Sequence, residues 1–286
     1  MTPTGHGVRL GVALGRVHPA LHLELTREAE RLGFESVWLP EHLVFPIEMG
    51  GSPFPGEAHP PVPPTTPVFD AFAYLAFLAG QSERLRLGTH VYLLGLRHPF
   101  VSARAIQTLD LVSGGRAEVG IGAGWLASEW RAAGLDFASR GRRLDEALSV
   151  CKRLWSEPVV EHRGRFFEFP PVAFEPKPVQ KPWPPLLVGG ESDAALRRAA
   201  HHADGWLGLD HSPESARERV ARLRALRAEA GRHEARFEVT VGARDPSRDQ
   251  LARYVDAGVA RVIVSPWQRS REAVEALRQF AERVHG

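Results

Sequence analysis

The strongest constraint in this sequence is the alternation of short apolar segments with longer helical segments along the whole chain. Each apolar segment has the length of a strand, and a helical spacing of apolar residues follows it. The predicted strands cover residues 8–14, 35–39, 85–94, 117–121, 186–188, 205–209, 237–242 and 261–264. Strands that alternate with helices predict a parallel sheet, and eight of them suffice to close a (β/α)8 barrel. An open doubly wound sheet with the same order of elements is the alternative.

A local unit recurs near both ends of this pattern. Residues 29–39 and residues 254–264 each contain a helix end, a C-cap glycine, a short turn and a buried strand. The two glycines are Gly33 and Gly258, and a helix C-cap often needs the left-handed backbone that glycine adopts readily. The repeat supports one α/β barrel domain over residues 1–286.

The composition excludes several other classes of protein. A chain of 286 residues with 43% hydrophobic and 24% charged residues can bury a large core without disulfides. Cys151 is the only cysteine, so no intramolecular disulfide forms. All but three of the 36 basic residues are arginines that interleave with acidic residues, so we expect no nucleic-acid partner. The histidines lack metal-ligand spacing, and we expect no metal.

The sequence also lacks the signals of a membrane or exported protein. The longest apolar run covers residues 71–79 and is far shorter than the ~20 residues that span a bilayer. Residues 1–7 do not show the basic start and apolar stretch of a signal peptide. We therefore expect a cytoplasmic protein with no membrane partner.

Two proline-rich stretches interrupt the alternation, at about residues 43–67 and 157–185. Neither divides the chain into separate cores, so we interpret both as insertions in barrel loops. Loops that follow the carboxyl ends of barrel strands surround the active site. The first stretch is therefore either a lid over that site or a rigid surface loop.

Candidate catalytic residues follow the second strand. Glu41 and His42 come directly after Leu39-Pro40, where a barrel places its active site. An imidazole titrates near neutral pH and can move a proton, and a carboxylate beside it can orient it.

Glycines follow the fourth and fifth predicted strands. Gly120, Gly122 and Gly124 alternate, which lets a ligand approach the backbone closely. Gly189 and Gly190 precede a helix that begins near Ser192, and a glycine-rich turn at a helix N-terminus suits a phosphate. A plain strand-to-helix turn explains the second pair equally well.

Several segments, in order along the chain, resemble the luciferase-like monooxygenase superfamily. The resemblance rests on residues 33–42, 97–99, 107–116, 120–125, 143–148, 189–190 and 203–206. Within the superfamily they are most similar to the branch that uses the deazaflavin coenzyme F420, and the branch that uses FMN is the near neighbour. The resemblance implies a single (β/α)8 TIM barrel with the cofactor at the carboxyl ends of the strands.

The resemblance also implies roles for particular residues. His42 would lie near the reactive face of the ring, and Glu41 would fix the ring or orient His42. The peptide bond between His90 and Val91 would be cis. Cofactor contacts are expected from Thr89, His90, Val91, Gly122, Ala123, Gly124, Val188, Gly189, Gly190, Glu191 and Ser192. From charge alone, we expect the acidic cofactor tail to meet Arg97, Lys177 and Lys181.

One position departs from the pattern of the F420-dependent sugar-phosphate dehydrogenases. They carry a glutamate where this chain has Trp125, so we expect Trp125 to form an apolar wall for the substrate, with Trp206 as a further candidate. The leading hypothesis is an F420-dependent oxidoreductase that transfers a hydride to or from a small organic molecule, as a homodimer. The alternatives are an FMN-dependent monooxygenase with a reductase partner and a non-catalytic flavin-binding barrel.

Overall fold

A closed barrel of eight parallel strands forms the centre of the molecule. The computed structural model describes residues 7–54, 56–57 and 62–285. The strands are β1 (Arg9–Ala13), β2 (Ser36–Leu39), β3 (Arg86–Tyr92), β4 (Ala117–Ile121), β7 (Leu186–Gly189), β8 (Gly205–Asp210), β9 (Glu238–Ala243) and β10 (Arg261–Val264). Around the barrel they follow the order β1-β10-β9-β8-β7-β4-β3-β2. The predicted (β/α)8 barrel is confirmed, and the open sheet is excluded.

Helices surround the barrel and bury their apolar faces against it. They are α1 (His22–Arg31), α2 (Ala71–Ala79), α3 (Pro99–Val112), α4 (Ala127–Ala132), α5 (Arg140–Ser156), α6 (Asp193–His202), α7 (Pro213–Glu229), α8 (Arg248–Ala257) and α9 (Ala273–His285). Helix α2 begins at Ala71, because the Asp70 side chain accepts a hydrogen bond from the Ala73 amide at 2.9 Å and caps the helix.

The two insertions have different structures. The second contains an antiparallel hairpin of β5 (Val160–Arg163) and β6 (Glu168–Val172), which packs outside the barrel. The described part of the first insertion, residues 43–54, 56–57 and 62–67, contains no helix or strand. The first insertion follows β2 and therefore starts at the carboxyl end of the barrel, where the candidate catalytic residues lie.

Side chains fill the barrel interior in its middle and at its amino-terminal end. The indole of Trp38 lies where Gly11 and Gly88 leave room, since a Cβ atom at Gly11 would come within 2.7 Å of it and one at Gly88 would overlap it. Below Trp38, the fully buried Arg261 donates hydrogen bonds to Glu35 at 2.8 and 2.9 Å and to Glu118 at 3.1 Å. These layers fill the interior below the carboxyl end of the barrel.

Candidate active site

A buried carboxylate holds His42 at the barrel mouth. The Nδ1–H group of His42 donates to Oε2 of Glu129 at 2.8 Å, and the Glu129 side chain is 0% exposed. Glu129 lies on α4, the short helix that follows the glycines of β4. Because Nδ1 is engaged, Nε2 is the ring nitrogen of His42 that can exchange a proton with a ligand.

The same carboxylate also fixes the start of the first insertion. Oε1 of Glu129 accepts hydrogen bonds from the amides of Leu43 at 2.6 Å and Val44 at 3.4 Å. Glu129 therefore positions the histidine and the loop beyond it as one unit.

Glu41 forms hydrogen bonds with partners other than His42. Its carboxylate accepts a hydrogen bond from the Leu93 amide at 2.9 Å and one from Arg97 Nη2 at 2.6 Å, and its side chain is fully buried. Glu41 therefore ties the end of β2 to the loop after β3. Of the two roles expected of Glu41, the orientation of His42 falls to Glu129.

Aromatic side chains enclose His42. The ring of Phe45 lies 4.5 Å from the imidazole centroid, and the ring of Trp125 meets it edge-on at 5.7 Å. Leu43 and Val44, next to His42, are exposed apolar side chains. The structure thus brings together His42 and Trp125, two of the predicted site residues, and gives that side of the mouth an apolar wall.

A bulge in β3 places Val91 in the mouth. Pairing between β3 and β4 shifts register between Thr89 and Tyr92, and the peptide bond between His90 and Val91 is cis, as the resemblance implies. A Cβ atom at Gly122 would lie 2.5 Å from Val91, and one at Gly189 would lie 2.6 Å from it. These glycines form a cradle around Val91 that other residue types would fill.

The two residues before Val91 have different environments. Thr89 is fully buried, and its hydroxyl donates to the Gly120 carbonyl at 2.7 Å, so its side chain joins β3 to β4 and is not presented to a ligand. His90 is partly exposed, but its Nε2 is buried and has no hydrogen-bond partner among the described residues. Burial lowers the pKa of His90 to about 4, so its ring is neutral at physiological pH.

The turn between β7 and α6 presents backbone rather than side chains to the mouth. Val188 is buried in the core, Gly190 has a positive φ of 120°, and Ser192 caps α6 through the Ala195 amide. Glu191 turns away and accepts hydrogen bonds from the Leu209 amide at 2.8 Å and from His211 Nε2 at 3.0 Å. The Glu191 side chain therefore braces the turn, and the contact of this residue with the cofactor stays a prediction.

Two of the three cations expected at the cofactor tail bind other groups of the protein. Arg97 pairs with Glu41, and Lys177 Nζ donates to three backbone carbonyl groups, whereas Lys181 is exposed.

Trp206 is fully buried and donates to the Gly190 carbonyl at 2.9 Å, so it forms no wall of the mouth. Near the turn, Arg222 and Arg197 lie 3.3 and 3.5 Å from Asp193.

Sequence reasoning missed Glu129 and the polar residues that follow β1 and β8. Arg16 comes three residues after β1, and Asp210 ends β8, so both occupy the carboxyl ends of strands. A systematic search of the residues after each predicted strand could have found Arg16 and Asp210. Glu129 could not be found in that way, because its contact with His42 joins residues that are far apart in the chain.

The described residues contain neither a membrane-spanning helix nor a metal-binding cluster. None of the helices there is long and apolar enough to cross a membrane. In the same residues, no group of three or more histidine, cysteine, aspartate or glutamate side chains is arranged to hold a metal ion.

The chain belongs to the luciferase-like monooxygenase family, whose model matches residues 1–257. An uncharacterised protein of Mycobacterium tuberculosis is 32% identical over 245 residues, which cover 85% of this chain and 84% of that protein. The oxygenase component of a flavin-dependent trigonelline monooxygenase of Acinetobacter baylyi is 30% identical over 168 residues, which cover 58% of this chain and 41% of that protein.

The fold is similar to that of solved members of this class. The structure of an F420-dependent secondary alcohol dehydrogenase, in complex with an F420-acetone adduct, superimposes with a TM-score of 0.76 and 17% sequence identity. The match covers 98% of this chain and 99% of that protein. At this level of identity the likeness establishes the fold.

Proposed function

We propose that this protein is an F420-dependent oxidoreductase that transfers a hydride between the deazaflavin and a small organic substrate. The observation that carries the proposal is the pairing of His42 with buried Glu129 at a barrel mouth where Val91 lies in a cradle of glycines. The likeness to an F420-dependent dehydrogenase supports the choice of cofactor. The proposal includes a homodimer, which rests on the family resemblance alone.

The bulge at Val91 suits a flat polycyclic ring. Gly122 and Gly189 let the Val91 side chain pack against their backbone, because a Cβ atom at either glycine would clash with it, and a planar group can lie against the bulge so formed. Nε2 of His90 is a buried polar atom without a partner among the described residues, and a polar ring edge can supply one. The turn before α6 offers backbone amides and a helix N-terminus, which suit the phosphodiester of the cofactor side chain.

The chain's own residues would position the substrate and exchange a proton with it. A bound deazaflavin supplies the hydride chemistry. His42 takes a proton at Nε2 when a hydroxyl group is oxidised and returns it when a carbonyl group is reduced. Glu129 holds the imidazole in the tautomer with Nδ1–H, which leaves Nε2 as the acceptor. Phe45 and Trp125 exclude water from this proton transfer.

A titration with both cofactors tests the proposal directly. We expect the purified protein to bind F420 with a Kd in the micromolar range, and FMN at least ~10-fold more weakly. Fluorescence of the deazaflavin and calorimetry measure the two affinities independently. Tight binding of FMN without binding of F420 would contradict the proposal and favour the second candidate.

Closing the glycine cradle should weaken cofactor binding. In Gly189→Ala the new Cβ atom would meet Val91 at 2.6 Å, and valine cannot rotate away cheaply because its χ1 angle is restricted. Overpacking of this kind costs about 1–3 kcal/mol, so we expect a loss of ~10–100-fold in cofactor affinity, measured by titration.

Two further variants make that test specific. Adding Val91→Ala to Gly189→Ala should restore most of the affinity, because it removes the atoms that clash. Gly80→Ala is the control, since its Cβ atom would make an ordinary contact at 3.5 Å with the Phe77 carbonyl at the end of α2. If the double variant stays as weak as the single one, Val91 is not the element that shapes the ring site.

A second candidate is an FMN-dependent monooxygenase that receives electrons from a separate reductase. The 30% identity to the oxygenase component of a flavin-dependent monooxygenase favours it. The two candidate functions differ in whether the cofactor-loaded protein consumes oxygen. A monooxygenase needs a flavin that reacts with oxygen, so the FMN-loaded protein would consume oxygen when it is supplied with a reductase and a substrate.

A further inference from the structure

A polar wall lies on the half of the barrel mouth formed by β1, β8, β9 and β10. Arg16 Nη2 donates to Asp210 Oδ2 at 2.8 Å, and Arg16 Nη1 donates to Ser265 Oγ at 3.5 Å. Arg16 follows β1, Asp210 ends β8, and Ser265 follows β10. All three residues therefore lie at the carboxyl end of the barrel, which is also the end that bears His42.

The ion pair crosses the mouth rather than lying on the outer surface. β1 and β8 are separated in the barrel by β10 and β9, so side chains that join them must pass over those two strands. Gly242 of β9 leaves the space, because a Cβ atom there would lie 2.5 Å from Asp210 Oδ1. Burial is the largest influence on the pKa of His90 in β3 and lowers it. Of the two smaller influences, Asp210 raises this pKa and Arg16 lowers it.

The pair is both held in place and open to a ligand. Trp267 donates to the carbonyl of Arg16 at 2.9 Å, which fixes the backbone that carries the guanidinium group. The side chains of Arg16 and Asp210 are 33% and 45% exposed, so a ligand can reach both. Arg244, which follows β9, is exposed and donates to Gln268 at 3.0 Å.

The charges of Arg16 and Asp210 determine which chemical groups of a ligand this wall can bind. A guanidinium group paired with a carboxylate offers a donor and an acceptor side by side with no net charge. A neutral amide or hydroxyl group can use both of them, and a carbonyl group can accept a hydrogen bond from the guanidinium group. A carboxylate or phosphate group would meet Asp210, and a like charge at that distance opposes binding.

We propose that Arg16, Asp210 and Ser265 form the subsite for a neutral hydrogen-bonding group of the substrate, and that Asp210 excludes anionic substrates. The assignment rests on the proposed function, because it places the substrate in the same mouth as the cofactor. The wall with His42, Phe45 and Trp125 then contacts the apolar part of the substrate. The substrate class is a neutral molecule with an apolar body and a polar end.

Benzamide and benzoate test this subsite, because they share a planar shape and differ in charge. Calorimetric titration of the cofactor-loaded protein should give affinity for benzamide and at least ~10-fold weaker binding of benzoate. In Asp210→Asn the guanidinium group loses its counter-charge, and the preference should shift by about tenfold or more toward benzoate. In Arg16→Gln the carboxylate remains, so benzoate should stay excluded.

Glu157→Gln is the matched control. Its pair with Arg153 at the end of α5 has side chains 36% and 42% exposed, close to those of Arg16 and Asp210, but it lies outside the mouth. We expect the ratio of the two affinities to be unchanged in this variant. An equal shift there would show that overall charge, and not the subsite, determines the preference.

The outcomes separate this inference from the proposed function. Cofactor affinity is measured first, and it should be the same in Asp210→Asn as in the natural protein within about threefold. A natural protein that binds neither cofactor contradicts the proposed function. With cofactor bound, an unchanged affinity ratio in Asp210→Asn, or no benzamide binding at ~10 mM, overturns only the subsite. A loss of cofactor affinity in Asp210→Asn would assign the pair to the cofactor instead.

Discussion

Replacement of His42 by alanine is expected to slow hydride transfer by about 10²–10⁴-fold while leaving cofactor affinity nearly unchanged. A positioned general acid or base contributes a factor of that size, and His42 is the titratable side chain held at the mouth with one ring nitrogen free for a proton. The measurement is the single-turnover absorbance change of the bound cofactor with a substrate of the class inferred above. Glu129→Gln should have a smaller effect of about tenfold, because it keeps the shape and removes the charge that orients the ring.

The chain offers a close control for this experiment. His162 donates to Glu146 at 3.0 Å, and the side chains of His162 and His42 are 16% and 15% exposed. This second pair lies at the hairpin outside the barrel, so His162→Ala should leave the rate unchanged. A His42→Ala variant that reacts at the natural rate with cofactor bound would remove the acid–base role from His42.

Replacement of Arg261 by methionine should destabilise the protein by about 3–5 kcal/mol. The guanidinium group is 0% exposed and pairs with Glu35 and Glu118, with Glu238 3.8 Å away. Removal of one partner from a buried ionic network leaves uncompensated charges in a medium that solvates them poorly. Urea unfolding followed by circular dichroism measures the change in the free energy of unfolding.

The loss of stability in Arg261→Met should depend on pH in a defined direction. Burial raises the pKa of Glu35, but the charge and hydrogen bonds of Arg261 outweigh burial, so the net pKa lies below its usual range. A lowered pKa in the folded state stabilises the protein above the unfolded-state pKa, and this stabilisation disappears as the pH falls. In Arg261→Met the hydrogen bond from Ser36 and the charge of Arg9 still lower the pKa of Glu35, but the larger contribution of Arg261 is lost. The stability difference between the two proteins should therefore narrow at acid pH.

An exposed arginine provides the comparison. Arg278 donates to Glu28 at 2.7 Å and is 44% exposed, so Arg278→Met should destabilise the protein much less than Arg261→Met does. Similar losses for the two variants would mean that the buried network contributes no more than a surface pair. A difference that does not narrow below pH 5 would show that the carboxylates of the network are not the groups responsible.

Much of the fold was predictable because it depends on local pattern. Buried strands such as β4, at Ala117–Ile121, match the predicted segment residue for residue, since apolar residues and a glycine mark the segment on both sides of Glu118. Element ends were less predictable. The third strand stops at Tyr92 instead of residue 94, because the chain turns into a short 3-10 helix at Leu94–Leu96. Nothing in the apolar pattern marks that turn.

The candidate site was predictable only where chain position implies location. His42 and the glycines of β4 and β7 follow strands, and a barrel brings all strand ends to one face. Orientation of His42 was one of two roles expected of its neighbour Glu41. In the structure Glu41 pairs with Arg97, and the distant Glu129 holds His42.

The sequence by itself determined the architecture and the position of His42 at the carboxyl end of the barrel, because periodicity and strand order are properties of short segments. Only the tertiary structure decided which charges meet. The contacts between His42 and Glu129 and between Arg16 and Asp210 join residues 87 and 194 positions apart. Barrel closure brings such residues together, and no pattern within a segment encodes which side chains will then be in contact.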